Sequence, residues 1–226
     1  MSELVTYQLE DGIATLTLNN GKVNAISPEL ISAFNAALDR ATQERAVVII
    51  TGQPGILSGG YDLKVMTSGP QQAISLVTAG STLAHRLLSH PFPVVVACTG
   101  NAVAKGAFLL LSADYRIGIE GPYKVCLNEV QIGMTMHHAG IELARDRLRR
   151  SVQTEGAARA HPDAQLVAGP RGRHDIQQVV RQRIVDRHFP DGRLELTHLF
   201  ARQHRLQLVH RLPAAMRDED LPLVIA

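Results

Sequence analysis

The sequence predicts an α/β fold in which short buried strands alternate with helices and pair in parallel. Two wholly apolar runs, residues 47–50 and 94–98, are typical of strands that are covered on both faces. Each run continues into a glycine-bearing turn and then into a helical pattern, which is the alternation that parallel α/β folds show. The same arrangement brings backbone N–H groups to helix N-termini, where they can hold developing negative charge.

The first part of the chain predicts a hairpin and then an amphipathic helix. Apolar and polar residues alternate over residues 4–9 and 13–18, on either side of an Asp-Gly pair, which is typical of a β-hairpin. Ser27 is a favourable N-cap and Pro28 suits the first helical position. Because the apolar residues that follow recur at helical spacing, we expect a helix that extends to about residue 43.

The elements that follow are predicted from the same kinds of pattern. In chain order they are a glycine-rich loop over 52–63, a helix over 71–89, the buried strand 94–98, small residues over 99–106 that lead into an apolar helix through 108–111, strands over 115–119 and 124–127, and a helix over about 138–150. Pro91 and Pro93 end the first of these helices.

Composition and charge exclude several classes of protein. The 226 residues are 45% hydrophobic and 19% charged with a net charge of +2, so nucleic acid is not expected as the main ligand. The sequence contains neither a phosphate-binding P-loop nor a Gly-x-Gly-x-x-Gly motif. His137 and His138 diverge by about 100° on a helix, so we expect them to cap or line a loop, and we expect no metal site.

Targeting and membrane signals are also missing from the sequence. The chain does not open with a basic and apolar leader, and its longest apolar run is far shorter than the roughly 20 residues that cross a bilayer. We therefore expect a cytoplasmic protein that does not bind membranes.

Five segments together resemble a known family. They resemble, in order and spacing, the signatures of the crotonase (enoyl-CoA hydratase/isomerase) superfamily: residues 22–27, 58–64, 99–108, 112–117 and 127–133. The resemblance covers about residues 1–150 and implies a crotonase-like spiral of ββα units. It also implies an acyl-CoA thioester as substrate, with coenzyme A as part of that substrate and no other cofactor. A homotrimer or hexamer is implied as the assembly.

The resemblance assigns catalytic and binding residues by position. The backbone N–H groups of Tyr61 and Lys105 would bind the thioester oxygen, and Glu129 would be the catalytic carboxylate. Donors aimed at an oxygen that gains negative charge contribute about 3 kcal/mol each. The residues that the resemblance places at the bound coenzyme A ester are Lys22, Asn24, Ala25, Ile26, Gly60, Asp62, Lys64 and Gly106.

Phe108 is an informative departure from the family pattern. Hydratases of this family carry a second glutamate at that position, whereas Δ3,Δ2-enoyl-CoA isomerases use a single glutamate. The sequence therefore favours isomerisation of a 3-enoyl-CoA to a 2-enoyl-CoA, with Glu129 moving a proton from C2 to C4. The alternatives are a hydratase of the same family and a catalytically impaired protein that binds CoA esters.

A second departure concerns the turn before the apolar helix. The family commonly has glycines there, and this chain has Ala104 and Lys105 before Gly106. The backbone conformation of that turn is therefore a question for the structure.

Residues 151–226 differ in composition from the rest of the chain. They contain eleven of the 23 basic residues, all arginine, together with six of the ten histidines and nine acidic residues. Three explanations stay open: a divergent, helical lid, an unrelated extension for an acidic partner, and the product of a shifted reading frame. A stretch rich in arginine and free of lysine favours the last. The nine interspersed acids count against nucleic-acid binding by the arginines.

Overall fold

The structure is a computed structural model and describes residues 3–119 and 121–148. Eight strands occur in the described part: β1 (Val5–Glu10), β2 (Ile13–Leu18), β3 (Val47–Thr51), β4 (Gly55–Ser58), β5 (Val94–Cys98), β6 (Gly100–Val103), β7 (Tyr115–Gly118) and β8 (Val125–Cys126). The helices there are α1 (Pro28–Gln43), α2 (Leu63–Thr67), α3 (Pro70–Leu88), α4 (Lys105–Leu111) and α5 (His138–Arg147), with a short 3-10 helix at Val130–Ile132.

The larger sheet has the strand order β1-β2-β3-β5-β7. β1 and β2 form the antiparallel hairpin, and every other pair in this sheet is parallel, with Ile13 opposite Val47 and Val48 opposite Val94. Side chains of β3 alternate between two core clusters, so that all five of its residues are buried. The predicted fold class and the strands covered on both faces are therefore confirmed.

A second, three-stranded parallel sheet has the order β4-β6-β8. Our expectation of loops at Gly55–Ser58 and Gly100–Val103 was wrong, because both segments are strands. A Cβ atom on Gly100 would overlap the backbone of Gly55, so the two strands approach at a distance that only glycine allows. These glycines look like turn residues in the sequence, although their role is close packing.

The helices begin where the sequence predicts. The Ser27 hydroxyl accepts a hydrogen bond from the Leu30 N–H at 3.2 Å at the start of α1, and Leu30, Phe34 and Leu38 are fully buried on its inner face. α3 begins at Pro70, one residue before the predicted start. The short helix α2 was not predicted, because its five residues are too few to show a helical period.

The structure does not describe the segment beyond residue 148. The division at residue 150, and the three explanations for residues 151–226, therefore lie outside the described residues. Within residues 3–119 and 121–148, no helix has the length and apolar character needed to span a bilayer.

Candidate functional site

The turn at Gly60 and the start of α4 lie against each other, although they are about 45 residues apart in the chain. Gly60 has a φ of 103°, which favours glycine. A Cβ atom there would lie 3.1 Å from the Cβ of Ala104 and 3.6 Å from the backbone nitrogen of Lys105. The two turns that the family resemblance selects therefore form one site.

The backbone N–H groups of Tyr61 and Lys105 are both available to a ligand. The neighbours of Tyr61 are used: the Ile26 N–H donates to the Gly60 carbonyl at 2.8 Å, and the Asp62 N–H donates to the Ile26 carbonyl at 3.0 Å. None of the described residues accepts a hydrogen bond from the Tyr61 N–H or from the Lys105 N–H. Lys105 is the first residue of α4, where an N–H has no partner within the helix. Two such donors can stabilise a negatively charged oxygen.

Ala104 adopts a backbone conformation that usually requires glycine. Its φ is 49° and its ψ is −119°, which an alanine reaches only at a cost of about 1–3 kcal/mol. Its N–H donates to the Cys126 carbonyl at 3.0 Å, so β8 holds the turn in place. The turn thus has a positive φ at Ala104 without a glycine there.

Replacing Ala104 by glycine should therefore stabilise the protein. We expect the free energy of unfolding in urea to rise by about 1 kcal/mol, because glycine adopts this conformation without steric strain. Ala107→Gly is the matched control, since Ala107 lies inside α4 and should lose about 1 kcal/mol there. Equal losses in the two variants would show that Ala104 is not strained.

Glu129 precedes the short 3-10 helix and lies within electrostatic range of Tyr61. Its carbonyl accepts hydrogen bonds from Ile132 at 3.1 Å and Met134 at 2.9 Å, which holds the backbone in a tight turn. Its Oε2 atom is buried and has no hydrogen-bond partner among the described residues. Burial, and after it the negative charge of Glu129, raise the pKa of the Tyr61 hydroxyl. A carboxylate oxygen without a partner is thus close to the residue that carries the first N–H donor.

Phe108 occupies a buried, apolar position on α4. It is 3% exposed and packs with Leu88, Leu111 and Leu143. Its ring centroid lies 5.5 Å from that of His137. None of the described residues that line the cavity at Phe108 is a carboxylate. The structure therefore places no substitute there for the second glutamate of the hydratases.

The side chains of Tyr61 and Lys105 converge on Gly80 in α3. The Lys105 ammonium donates to the Gly80 carbonyl at 2.6 Å. A Cβ atom on Gly80 would overlap the Tyr61 hydroxyl, and that hydroxyl donates weakly to the Val77 carbonyl at 3.4 Å. Both residues that supply N–H donors are thus tied to the same turn of α3. The sequence analysis used only the backbone of Lys105, although a lysine in a run of small residues was a signal.

Burial has a strong effect on Lys105 and His137. The Lys105 side chain is 2% exposed, and this desolvation lowers its pKa to about 7. Burial, together with the nearby Lys105, lowers the pKa of His137 to about 4. Both groups bind a proton more readily in the unfolded chain than in the folded one.

This difference predicts a pH dependence of stability. Between the folded pKa of Lys105, about 7, and the ordinary lysine value near 10.5, the unfolded chain binds more protons, so stability rises with pH. Lys105→Met removes this proton uptake. We expect the stability of the parent to rise relative to that of Lys105→Met by about 2 kcal/mol between pH 7 and pH 9. Urea unfolding of both proteins at each pH tests this, and a gap that stays constant would contradict it.

The loop over residues 22–27, which the resemblance places at coenzyme A, packs against the turn that carries the Tyr61 N–H. Lys22 is exposed at its tip and is free to meet a ligand phosphate. Asn24 is fully buried: its amide donates to the Leu18 and Leu57 carbonyls, so its side chain serves the fold. Ala25 is half-buried, and the buried Ile26 pairs with the turn through its backbone.

The remaining predicted binding residues have different roles in the structure. Asp62 caps α2 by accepting from the Lys64 N–H at 2.8 Å, and the Lys64 side chain is exposed. A Cβ atom on Gly106 would overlap the carbonyl oxygen of Ser58. Because Gly60 and Gly106 have no side chains, neighbouring backbone segments can pack closely beside the N–H groups of Tyr61 and Lys105. Among the described residues there is no group of three or more His, Cys, Asp or Glu side chains that could hold a metal ion.

A comparison with known families bears on the same site. The sequence profile described as "Enoyl-CoA hydratase/isomerase" matches residues 8–206. The chain belongs to the enoyl-CoA hydratase/isomerase family. Enzymes of this family act on CoA thioesters and need no additional cofactor, as the sequence analysis expected. The match continues past residue 150, beyond the five segments that carry the resemblance.

Individual relatives are similar over different lengths. An enoyl-CoA hydratase/isomerase family protein from Pseudomonas syringae is 78% identical over 66% of this chain and 64% of its own, with a TM-score of 0.65. A protein from Mycobacterium tuberculosis is named enoyl-CoA isomerase in one structure and probable enoyl-CoA hydratase in another. It is 35% identical over 96% of this chain and 97% of its own, with a TM-score of 0.73. Human mitochondrial enoyl-CoA delta isomerase 1 is 30% identical over 54% of this chain and 42% of its own.

The chain spans about half the length of the curated relatives it matches, from 42% to 64% for the first three. These relatives include both proteins named hydratase and proteins named delta isomerase. They support an enzyme family that acts on enoyl-CoA esters. The choice between the two reactions depends on the residues of this chain.

Proposed function

We propose that this protein isomerises 3-enoyl-CoA to 2-enoyl-CoA, with Glu129 as its single acid and base. The observation that carries the proposal is a single carboxylate, Glu129, with one buried oxygen that has no partner among the described residues, together with the apolar Phe108 at the other family position. A hydratase needs two carboxylates to orient the water that adds across the double bond. An isomerase needs one group that takes a proton and returns it. Human mitochondrial enoyl-CoA delta isomerase 1 is among the relatives of this chain, as are proteins named hydratase, so the choice depends on Glu129 and Phe108.

In the proposed reaction three groups act on the substrate. Glu129 removes a proton from C2, and the electron pair shifts onto the thioester oxygen to give a dienolate. The N–H groups of Tyr61 and Lys105 stabilise that negative oxygen. The protonated Glu129 then donates the proton to C4, the double bond moves to C2–C3, and the carboxylate is regenerated. A general base in the correct position contributes about 10²–10⁴-fold to such a step.

Analysis of the products separates isomerisation from hydration. The purified protein is incubated with 3-hexenoyl-CoA in D₂O, and the products are analysed by mass spectrometry and NMR. We expect 2-hexenoyl-CoA as the product, with deuterium incorporated into substrate or product at the carbons that exchange. A product that has gained the elements of water would contradict the proposal and favour the hydratase.

The second candidate is a catalytically impaired protein that binds CoA esters. It would bind hexanoyl-CoA in calorimetry and yet exchange no C2 proton with Glu129 intact.

The cytoplasmic location and the homotrimer or hexamer remain predictions. Sedimentation of the full chain would test the assembly.

A further inference from the structure

A small cavity of about 30 Å³, open to solvent on one side, lies between α3, α4 and α5. The lining residues that matter for its chemistry are His85, Leu88, Lys105, Phe108, His137 and Leu143. Lys105 joins this cavity to the oxyanion site, because its backbone N–H belongs to one and its side chain lines the other. Most of the wall is apolar, so its few polar atoms decide what can bind.

The Lys105 ammonium has hydrogen-bonding capacity that the protein does not use. An ammonium carries three N–H donors, and the Gly80 carbonyl accepts one of them at 2.6 Å. No carboxylate among the described residues forms an ion pair with Lys105. A buried cationic group without such a partner is costly unless a ligand supplies the acceptor.

His137 adds a second donor to the same wall. Its Nδ1 atom accepts the Gly140 N–H at 3.0 Å, where it caps α5. In the neutral ring the proton therefore lies on Nε2, which is then a donor. None of the described residues accepts a hydrogen bond from this Nε2. The cavity thus has spare donors on Lys105 and His137, and none of its described lining residues is acidic.

We propose that this cavity binds the distal end of an acyl chain that carries an oxygen acceptor, held by Lys105 Nζ and His137 Nε2. The inference rests on the proposed function, and it adds the class of substrate: oxygenated acyl-CoA esters in preference to plain hydrocarbon chains. The Lys105 stem has four methylene groups and spans roughly 6 Å. This length sets an upper limit on the separation of the Lys105 backbone and its ammonium, and a six-carbon acyl chain has a similar reach.

Binding of three saturated esters tests the proposal without requiring turnover. Hexanoyl-CoA ends in a methyl group, 5-oxohexanoyl-CoA carries a ketone and adipoyl-CoA ends in a carboxylate. Their dissociation constants are measured by calorimetry on the full chain. We expect both oxygenated esters to bind at least about tenfold more tightly than hexanoyl-CoA, because each uses donors that the methyl group leaves unpaired.

Two variants assign the preference to the cavity. Lys105→Met keeps the backbone N–H and removes the ammonium, so we expect the ratio of the dissociation constants of hexanoyl-CoA and each oxygenated ester to fall to about one. Lys124→Met, which also removes one positive charge, changes a residue that is exposed and does not line the cavity, and should keep the preference. Circular dichroism checks that each variant is folded.

Each outcome bears on the proposal. Equal binding of all three esters by the parent protein overturns it and leaves the proposed function intact, and this comparison needs no variant. Failure of all three to bind overturns both. A preference that persists in a folded Lys105→Met variant overturns the assignment to this cavity. A preference that only Lys105→Met removes supports it.

Discussion

Replacement of Glu129 by glutamine should reduce the rate of C2 proton exchange in 3-hexenoyl-CoA by about 10²–10⁴-fold. Glutamine has nearly the same size and shape, so the turn that the Glu129 carbonyl stabilises should persist. An amide cannot accept the C2 proton. NMR-detected exchange in D₂O measures the effect, and calorimetry with hexanoyl-CoA should show that binding survives.

The same substitution at a distant glutamate is the control. Glu142 lies on α5, where its carboxylate accepts a hydrogen bond from Arg145 at 2.7 Å, and it does not line the cavity beside Phe108. Glu142→Gln should exchange C2 protons at the parent rate. Comparable turnover by Glu129→Gln and the parent would rule out Glu129 as the acid and base. Loss of binding together with exchange would indicate a structural role instead.

Replacement of Gly106 by alanine should destabilise the protein by about 2–3 kcal/mol. In an unhindered helix the same change would stabilise by about 0.5–1 kcal/mol. Here the added methyl group would overlap the carbonyl oxygen of Ser58, which is buried backbone at the end of β4. Because neither backbone can move freely, the start of α4 must shift, and the Lys105 N–H shifts with it. We also expect turnover to fall by about 10²–10³-fold, as when an oxyanion donor is lost.

Gly80→Ala is the matched comparison for this prediction. It also adds a methyl group to a helical glycine, but the obstacle is the end of the Tyr61 side chain. A side chain can rotate away more easily than a strand can move, so the loss in stability should be smaller than for Gly106→Ala. Urea unfolding of both variants gives the two free energies. A Gly106→Ala variant as stable as the parent would show that β4 and α4 do not meet as closely as the structure has them.

The sequence predicted the elements whose signals are local. The hairpin follows from alternation around a tight turn, and the start of α1 follows from Ser27 and Pro28. The buried strands β3 and β5 follow from their continuous apolar residues. The strands β4 and β6 were missed, because their glycines serve the contact between the two strands. A contact of this kind produces no regular alternation of apolar and polar residues along either strand.

The resemblance of five segments to a known family selected Tyr61, Lys105 and Glu129 as members of one site. What only the tertiary structure decided is how these residues are held. Ala104 takes a strained conformation in place of a glycine, and the side chains of Tyr61 and Lys105 meet at Gly80. The physical reason is that turns and strands depend mainly on residues that are neighbours in the sequence. The burial of the Lys105 ammonium depends instead on which helix packs over it. That helix, α3, lies about 25 residues earlier in the chain, and no local property of Lys105 specifies it.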